Sequence, residues 1–377
     1  MDLSTCFLHT LGEAEAKLLA ELRSKVPSIV AKAKEGSQEA AARPVQSIWG
    51  VNVEVQSEAS DIVLLKYLRA EEKNVDIAAD RIAQTLIFRA DCQMEELIKA
   101  ELPDYFQGHD EITGWDTEGR PVMISHFGNM DIDKVFGDAE AFVRYRVQLM
   151  EKSIAMLPFK KGAAEDLCQV HNYAGVLSSM YKSHVKDGVS AVSKVFERHY
   201  PEFKGVTVFV NFPAFFSKFW KAFSTFLPER TLKKFVILGS NDHEALFEKL
   251  APGLVPDSLG GLYTKPPSKL KSGGRGVVCK ARVTEEVQLL QVEVASKVAF
   301  ELRVCVSDIA YQVVFVPSGG AEESVVKESE QGTLLKAEDG IVAGEYDCSS
   351  AGTLLCRFRN EGAWFKQRVC ACRAELA

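Results

Sequence analysis

Apolar positions recur at helical spacing along residues 12–34, where Ala16, Leu18, Leu19, Leu22, Val26 and Ile29 fall on one face. The pattern predicts a helix that kinks or ends near Pro27, because proline removes a backbone donor and crowds the preceding turn. It then dissolves into Ala, Gly, Glu and Lys up to Arg43, which reads as a linker closing an N-terminal segment of residues 1–44. From Asp61 the spacing tightens. Ile62, Leu64, Leu65 and Leu68, then Ala78, Ile82, Leu86 and Phe88, predict two short helices joined around Lys73-Asn74-Val75, inside a small helical bundle over 45–108.

Past the bundle the period changes. Residues 121–126, 168–173, 206–211 and 235–238 are short runs rich in Val and Ile, separated by helical stretches at 138–156, 178–199, 213–226 and 242–250. Strands alternating with helices imply an α/β domain with a mostly parallel sheet over 109–265, since each crossover must pass over a sheet face. A stretch rich in Pro, Gly, Ser and Lys at 264–276 marks a boundary. Beyond it helical spacing is lost, and about eight short strands at roughly ten-residue intervals predict a β-sandwich over 277–377. The polar, acidic stretch 318–332 reads as a surface loop within it.

Composition narrows the function. The 377 residues are 46% hydrophobic and 26% charged, and 45 Lys+Arg against 52 Asp+Glu leave a net charge of −7. Nucleic-acid binding rests on phosphate neutralisation, for which such a chain has no global charge. No run approaches the roughly 18 apolar residues of a membrane span. Met1-Asp2-Leu3-Ser4 carries neither a basic signal flank nor a glycine for myristoylation, so the expected location is the cytosol, with any membrane contact peripheral. The nine cysteines include no CxxC pair; Cys370 and Cys372 are spaced as neighbours on one strand face, and reduced thiols acting as small hydrophobes are expected.

Enzyme motifs are missing. The sequence has no GxxxxGK[ST] loop, no GxGxxG after a strand and no GxSxG elbow. His243-Glu244 begins an HExxH look-alike whose second histidine position is Phe247. His171 on an inner strand and His199 at a helix end read as packing or capping residues, without a second titratable group at matching spacing. A non-enzyme without cofactor or metal is expected.

One feature does stand out among the 22 Phe. Phe212, Phe215, Phe216, Phe219, Phe223 and Phe226 stand at i, i+3, i+4, i+7, i+11 and i+14, with Trp220 and Leu227 beside them and Ser217, Lys218, Lys221, Ser224 and Thr225 opposite. Pro213 suits the first helical turn. Such a helix either covers one face of the sheet or acts as a lid over an apolar ligand that wedges into a membrane interface.

Several stretches carry a resemblance in register. Leu64-Leu65-Lys66-Tyr67-Leu68-Arg69-Ala70, Asp116-Thr117-Glu118-Gly119-Arg120-Pro121-Val122, Tyr200-Pro201-Glu202, Asn211-Phe212-Pro213, Lys234-Phe235-Val236-Ile237-Leu238-Gly239 and Leu259-Gly260-Gly261 resemble, in that order, the CRAL-TRIO lipid-binding family with its helical N-terminal subdomain. The tail, with Ser307-Asp308-Ile309, Gly344-Glu345-Tyr346 and Trp364-Phe365, resembles a GOLD β-sandwich. Ser47-Ile48-Trp49-Gly50-Val51 and Met150-Glu151-Lys152-Ser153-Ile154 make the chain similar to the patellins, which join these modules in the same order.

The resemblance implies a hydrophobic cavity gated by the aromatic helix and holding one phospholipid or other apolar molecule. Phosphoinositide-binding relatives use the YPE glutamate, a lysine before the following strand and an arginine after LRA. Glu202 and Lys234 match the first two, although they also suit a structural ion pair. Glu71 stands at the third position and reverses its charge, with Arg69 or Lys66 as nearby replacements. Leu167 and Gln169 stand where choline-lipid-binding relatives carry small hydroxyl residues. The expected ligand is a phospholipid, a phosphoinositide among the candidates, and the expected membrane contacts are Lys218 and Lys221 on the gate with Lys265, Lys269 and Lys271 in the linker. A competing reading is a lipid-sensing adaptor in membrane trafficking that recruits protein partners through the GOLD-like domain.

Overall fold

The computed structural model describes residues 10–180, 182–216, 232–319, 322–330, 333–362 and 364–377. The chain divides into two compact units, Met1–Gly239 and Ser240–Ala377. Among the described residues no helix is long and apolar enough to cross a membrane.

The first unit opens with α1 (Glu13–Ser24), α2 (Val26–Gly36) and α3 (Gln38–Ala42). The break falls at Lys25, and Pro27 sits in the first turn of α2, where its missing N–H is harmless. Part of the expected linker is therefore helical. The Ser37 hydroxyl caps α3 by accepting from the Ala40 N–H at 3.0 Å, while only Ala40 of its five residues is buried, too little to give an apolar period. Next comes a hairpin of β1 (Ser47–Ile48) and β2 (Val51–Asn52), closed by Trp49 and Gly50 with φ of 50° and 77°, the two positive values a two-residue hairpin turn demands.

The predicted pair of helices is α4 (Glu58–Ala70) and α5 (Val75–Asp91), followed by α6 (Met94–Lys99). Ser57 and Ser60 form a capping box on α4, and the Asn74 side chain caps α5. Ile62, Leu64, Leu65 and Leu68 are buried with Ala78, Ile82 and Leu86 and with Leu22, Ile29 and Ala33 of the first helices, so one core unites α1, α2, α4 and α5.

The sheet is ordered β3 (Asp110–Trp115), β4 (Pro121–His126), β5 (Leu167–Asn172), β6 (Lys204–Val210), β7 (Phe235–Ile237). β3 is antiparallel to β4 and the other neighbours are parallel. Unforeseen in the sequence, β3 is an edge strand whose residues are only half-buried or exposed. α7 (Ile132–Val135) and α8 (Ala139–Ile154) lie between β4 and β5, and α9 (Ser183–His199) between β5 and β6. Arg89 of α5, Glu151 of α8 and Tyr200 after α9 form a buried network: Arg89 donates to Glu151 at 2.5 and 3.2 Å, and the Tyr200 hydroxyl donates to it at 2.8 Å.

In the second unit a short helix, α10 (His243–Phe247), half the length expected, precedes nine strands: β8 (Arg275–Cys279), β9 (Thr284–Val292), β10 (Ser296–Val304), β11 (Asp308–Pro317), β12 (Ser324–Glu328), β13 (Leu335–Lys336), β14 (Val342–Cys348), β15 (Gly352–Arg359) and β16 (Arg368–Leu376). They form two antiparallel sheets, β14-β10-β16-β8 and β12-β11-β15-β9, with β13 also on β11. β12 lies inside the stretch expected to be loop; as a polar edge strand it offers little hydrophobic alternation to read. Phe300, Phe315, Phe358, Cys279, Cys356, Cys370 and Cys372 pack together in the core. The 257–272 stretch is tied to this sandwich by Arg303, which donates to the Asp257 and Gly261 carbonyls, and by Arg373, which donates to Leu262 and Ser272 carbonyls while paired with buried Glu301.

Candidate functional site

Because β4 to β7 run parallel, the residues just before each strand meet at one edge of the sheet. Arg120 precedes β4, Glu165 and Asp166 precede β5, Glu202 and Phe203 precede β6, and Lys234 precedes β7. The Asp116 carboxylate shapes the loop before β4 by accepting from the Glu118 and Arg120 N–H groups, both at 2.9 Å, and from Arg120 Nε at 2.7 Å. Lys66 of α4, 1% exposed, reaches this edge and donates to the Glu165 and Glu202 carbonyls at 2.5 and 2.9 Å, with its ammonium 4.2 Å from the Phe203 ring centroid. Lys234 donates to the Lys204 carbonyl at 2.8 Å. Asp166 sits inside the group; burial pushes its carboxyl above the ordinary range, opposed by Lys66, Arg120 and Lys234.

The hairpin tryptophan supports this edge from below. Trp49 stacks on Tyr67 at 5.7 Å and meets Phe203 edge-on at 4.5 Å. Thus the Ser47–Val51 motif and the YPE turn, far apart in sequence, are two sides of one packed cluster.

Along one face of the sheet runs a row of rings. Phe127, just past β4, stacks on His171 at 5.5 Å; His171 stacks on Phe209 at 5.6 Å; Phe209 stacks on Phe235 at 5.8 Å. The register pairs His171 with Phe209 and Thr207 with Phe235, so one pleat surface carries the whole row. Tyr173 then joins Phe212 at 5.5 Å and Phe216 at 6.0 Å. Phe209, Phe212, Phe216 and Phe235 are only half-buried, and Phe215 and Ile237 are 44% and 38% exposed. Burial lowers the His171 pKa to about 3, yet the ring keeps accessible surface.

The structure brings Glu202 and Lys234 to the same sheet edge. Arg69 is engaged elsewhere, in a two-bond pair with Glu15 of α1 at 2.7 and 3.0 Å, and Glu71 pairs with Arg81. Phe212, Phe215 and Phe216 adjoin the aromatic face; Phe219, Trp220, Phe223, Phe226, Lys218 and Lys221 lie outside the described residues. Lys265, Lys269 and Lys271 are exposed. His199 packs as expected, stacked on Phe88 at 4.1 Å and hydrogen-bonded to Thr85 at 3.1 Å. Sequence reasoning missed Asp166, Arg120, Lys204 and the ring row, whose signal is the position of each residue relative to the start of a parallel strand.

A helical subdomain set against a mostly parallel sheet, with an aromatic face behind a charged edge, defines an α/β ligand-cradling domain. Residues 107–261 match the model of the CRAL/TRIO domain. The chain is 29% identical to Patellin-6 of Arabidopsis thaliana, covering 94% of this chain and 86% of that protein. It is 27% identical to Patellin-2 of the same plant over 84% of this chain, and spans only 46% of that protein. A phosphatidylinositol transfer protein, SFH5 of Cryptococcus neoformans, is 28% identical over 60% of this chain and 80% of its own length. The crystal structure of Sfh5 superposes with a TM-score of 0.55 at 22% identity, covering 63% of this chain and 84% of that one, and shares the fold. Residues 107–261 thus match a CRAL/TRIO domain, and the chain as a whole is similar to the patellins.

Proposed function

We propose that this protein is a lipid carrier that encloses one phospholipid against the aromatic face of its sheet and visits membranes peripherally. The observation that carries the reading is the row Phe127–His171–Phe209–Phe235, a continuous stack of half-buried rings on one face of the sheet. Each exposed CH₂ of a lipid chain costs about 0.8 kcal/mol in water, so a carrier must cover the chains and needs no covalent chemistry. The charged edge with Glu202 and Lys234 supports an inositol-phospholipid headgroup, in keeping with the name of the SFH5 relatives. Exchange of fluorescent phosphatidylinositol between vesicles tests the reading. The wild-type chain accelerates exchange, and Phe209→Asp with Phe235→Asp abolishes it while circular dichroism stays native; unaltered exchange in that variant would refute the assignment.

Docking has its own support in the second unit, where Trp364 and Phe365 are 72% and 91% exposed. Their loop is anchored, since the Asn360 side-chain amide donates to the Cys279, Lys280 and Lys366 carbonyls at 3.0, 3.2 and 3.0 Å. Arg282 lies 4.5 Å from the Trp364 ring, and Lys280, Arg282 and Lys366 are all exposed around it. An aromatic tip among cations suits the interface of an anionic membrane. This tip also favours the second reading, a lipid-sensing adaptor whose GOLD-like domain presents the surface.

A further inference from the structure

The aromatic face is not purely apolar. β6 carries one extra residue against β5: Leu167 pairs with Lys204, but the next pair is Cys168 with Val206. This bulge at Gly205 turns Lys204 onto the surface that holds Thr207 and Phe209, whereas regular alternation would place it with Val206 and Val208 on the other side. Glycine is needed there, because a Cβ would stand 2.6 Å from the Asp166 carboxyl. The Lys204 ammonium accordingly lies 5.8 Å from the Phe235 ring centroid. No carboxylate pairs with it among the described residues. Lys204 is exposed, and the surrounding protein first, then repulsion from Lys234, lowers its pKa.

Beside it on the same face stand neutral polar groups that are more deeply set. Thr207 is 2% exposed and its register partner Gln169 is 7% exposed. Thr207 Oγ1 and His171 Nδ1 are buried without a hydrogen-bond partner among the described residues. Buried polar atoms such as these two are ordinarily satisfied, and Lys204, Thr207, Gln169 and His171 share one face of two adjacent strands. An unpaired ammonium with hydroxyl, amide and imidazole groups around it matches an acid group, and the flanking rings match an alkyl chain.

We propose that this part of the sheet is a recognition site for the acid group of an anionic lipid, carboxylate or phosphate, with Lys204 as its counter-charge and Thr207, Gln169 and His171 as its hydrogen-bonding wall. The proposal rests on the lipid-carrier reading, and the test separates the two. Three probes with the same oleyl-length chain, oleate, oleoyl lysophosphatidate and oleyl alcohol, are titrated into the full chain and into Lys204→Met and Thr207→Val, with thermal melts to check folding. At least one acid binds the wild-type chain tenfold or more tighter than the alcohol, and which acid does so separates carboxylate from phosphate. Lys204→Met brings that ratio to about one without weakening the alcohol, and Thr207→Val lowers it severalfold. Equal binding of acids and alcohol by the wild-type chain, or an unchanged ratio in Lys204→Met, overturns the proposal. Failure of all three probes to bind overturns the carrier reading instead.

Discussion

Accessible aromatic residues occur in both units, in opposite settings. In the first unit Phe127, His171, Phe209 and Phe235 form a stacked row on a sheet face, with unsatisfied polar groups beside them. In the second unit Trp364 and Phe365 project from an anchored loop among Lys280, Arg282 and Lys366. Ring area alone does not separate the two, since each aromatic side chain removes about 150–250 Å² from water wherever it is buried. The surroundings do. Rings backed by a sheet and buried polar groups suit a molecule that is enclosed, whereas exposed rings on a tip with cations around them suit a surface that is touched and left.

Substitutions that act on one setting and spare the other test this contrast. Breaking the scaffold of the first has the largest effect. Glu151→Ala strands buried Arg89 and the Tyr200 hydroxyl, and chemical denaturation should show a loss of about 3–5 kcal/mol, against less than about 0.5 kcal/mol for Phe365→Ser at the tip. Next, Phe209→Asp with Phe235→Asp should lower lipid uptake at least about a hundredfold by placing charge on the apolar face, while Trp364→Ser with Phe365→Ser leaves the bound lipid in place. Conversely, the tip variant should weaken sedimentation with anionic vesicles roughly tenfold to a hundredfold. The remaining attraction should fall as salt rises, since each nearby cation contributes about 1 kcal/mol.

A smaller effect follows from pH. Burial lowers the pKa of His171 to about 3 and of His199 to about 4. Both are neutral in the fold and titrate near 6.5 when unfolded, so the unfolded chain takes up protons first. Stability is therefore full above about pH 6.5 and declines as pH falls toward 4. Thermal melts at stepped pH should show this decline, and His199→Asn should shallow it.

The sequence made the regular elements legible where their period was strong. Leu64, Leu65 and Leu68 announced α4, and the Val/Ile run announced β4 at its observed bounds. Weakly amphipathic elements escaped: β3 at an edge, β12 in an acidic stretch and the Ala-rich α3. At the site, Glu202 and Lys234 were legible from flanking motifs. Asp166 and Arg120 were not, because only parallel pairing brings residues so far apart to one edge. Lys204 was hidden for a sharper reason. Alternation along β6 assigns it to the opposite face, and the bulge at Gly205 reverses that assignment.

Native mass spectrometry of the purified full chain addresses the central claim directly. The account predicts a complex with one lipid per chain, exchanged when phosphatidylinositol vesicles are supplied and lost in Phe209→Asp with Phe235→Asp. A lipid-free chain that takes up nothing from vesicles, or a double variant that retains its lipid, would contradict it.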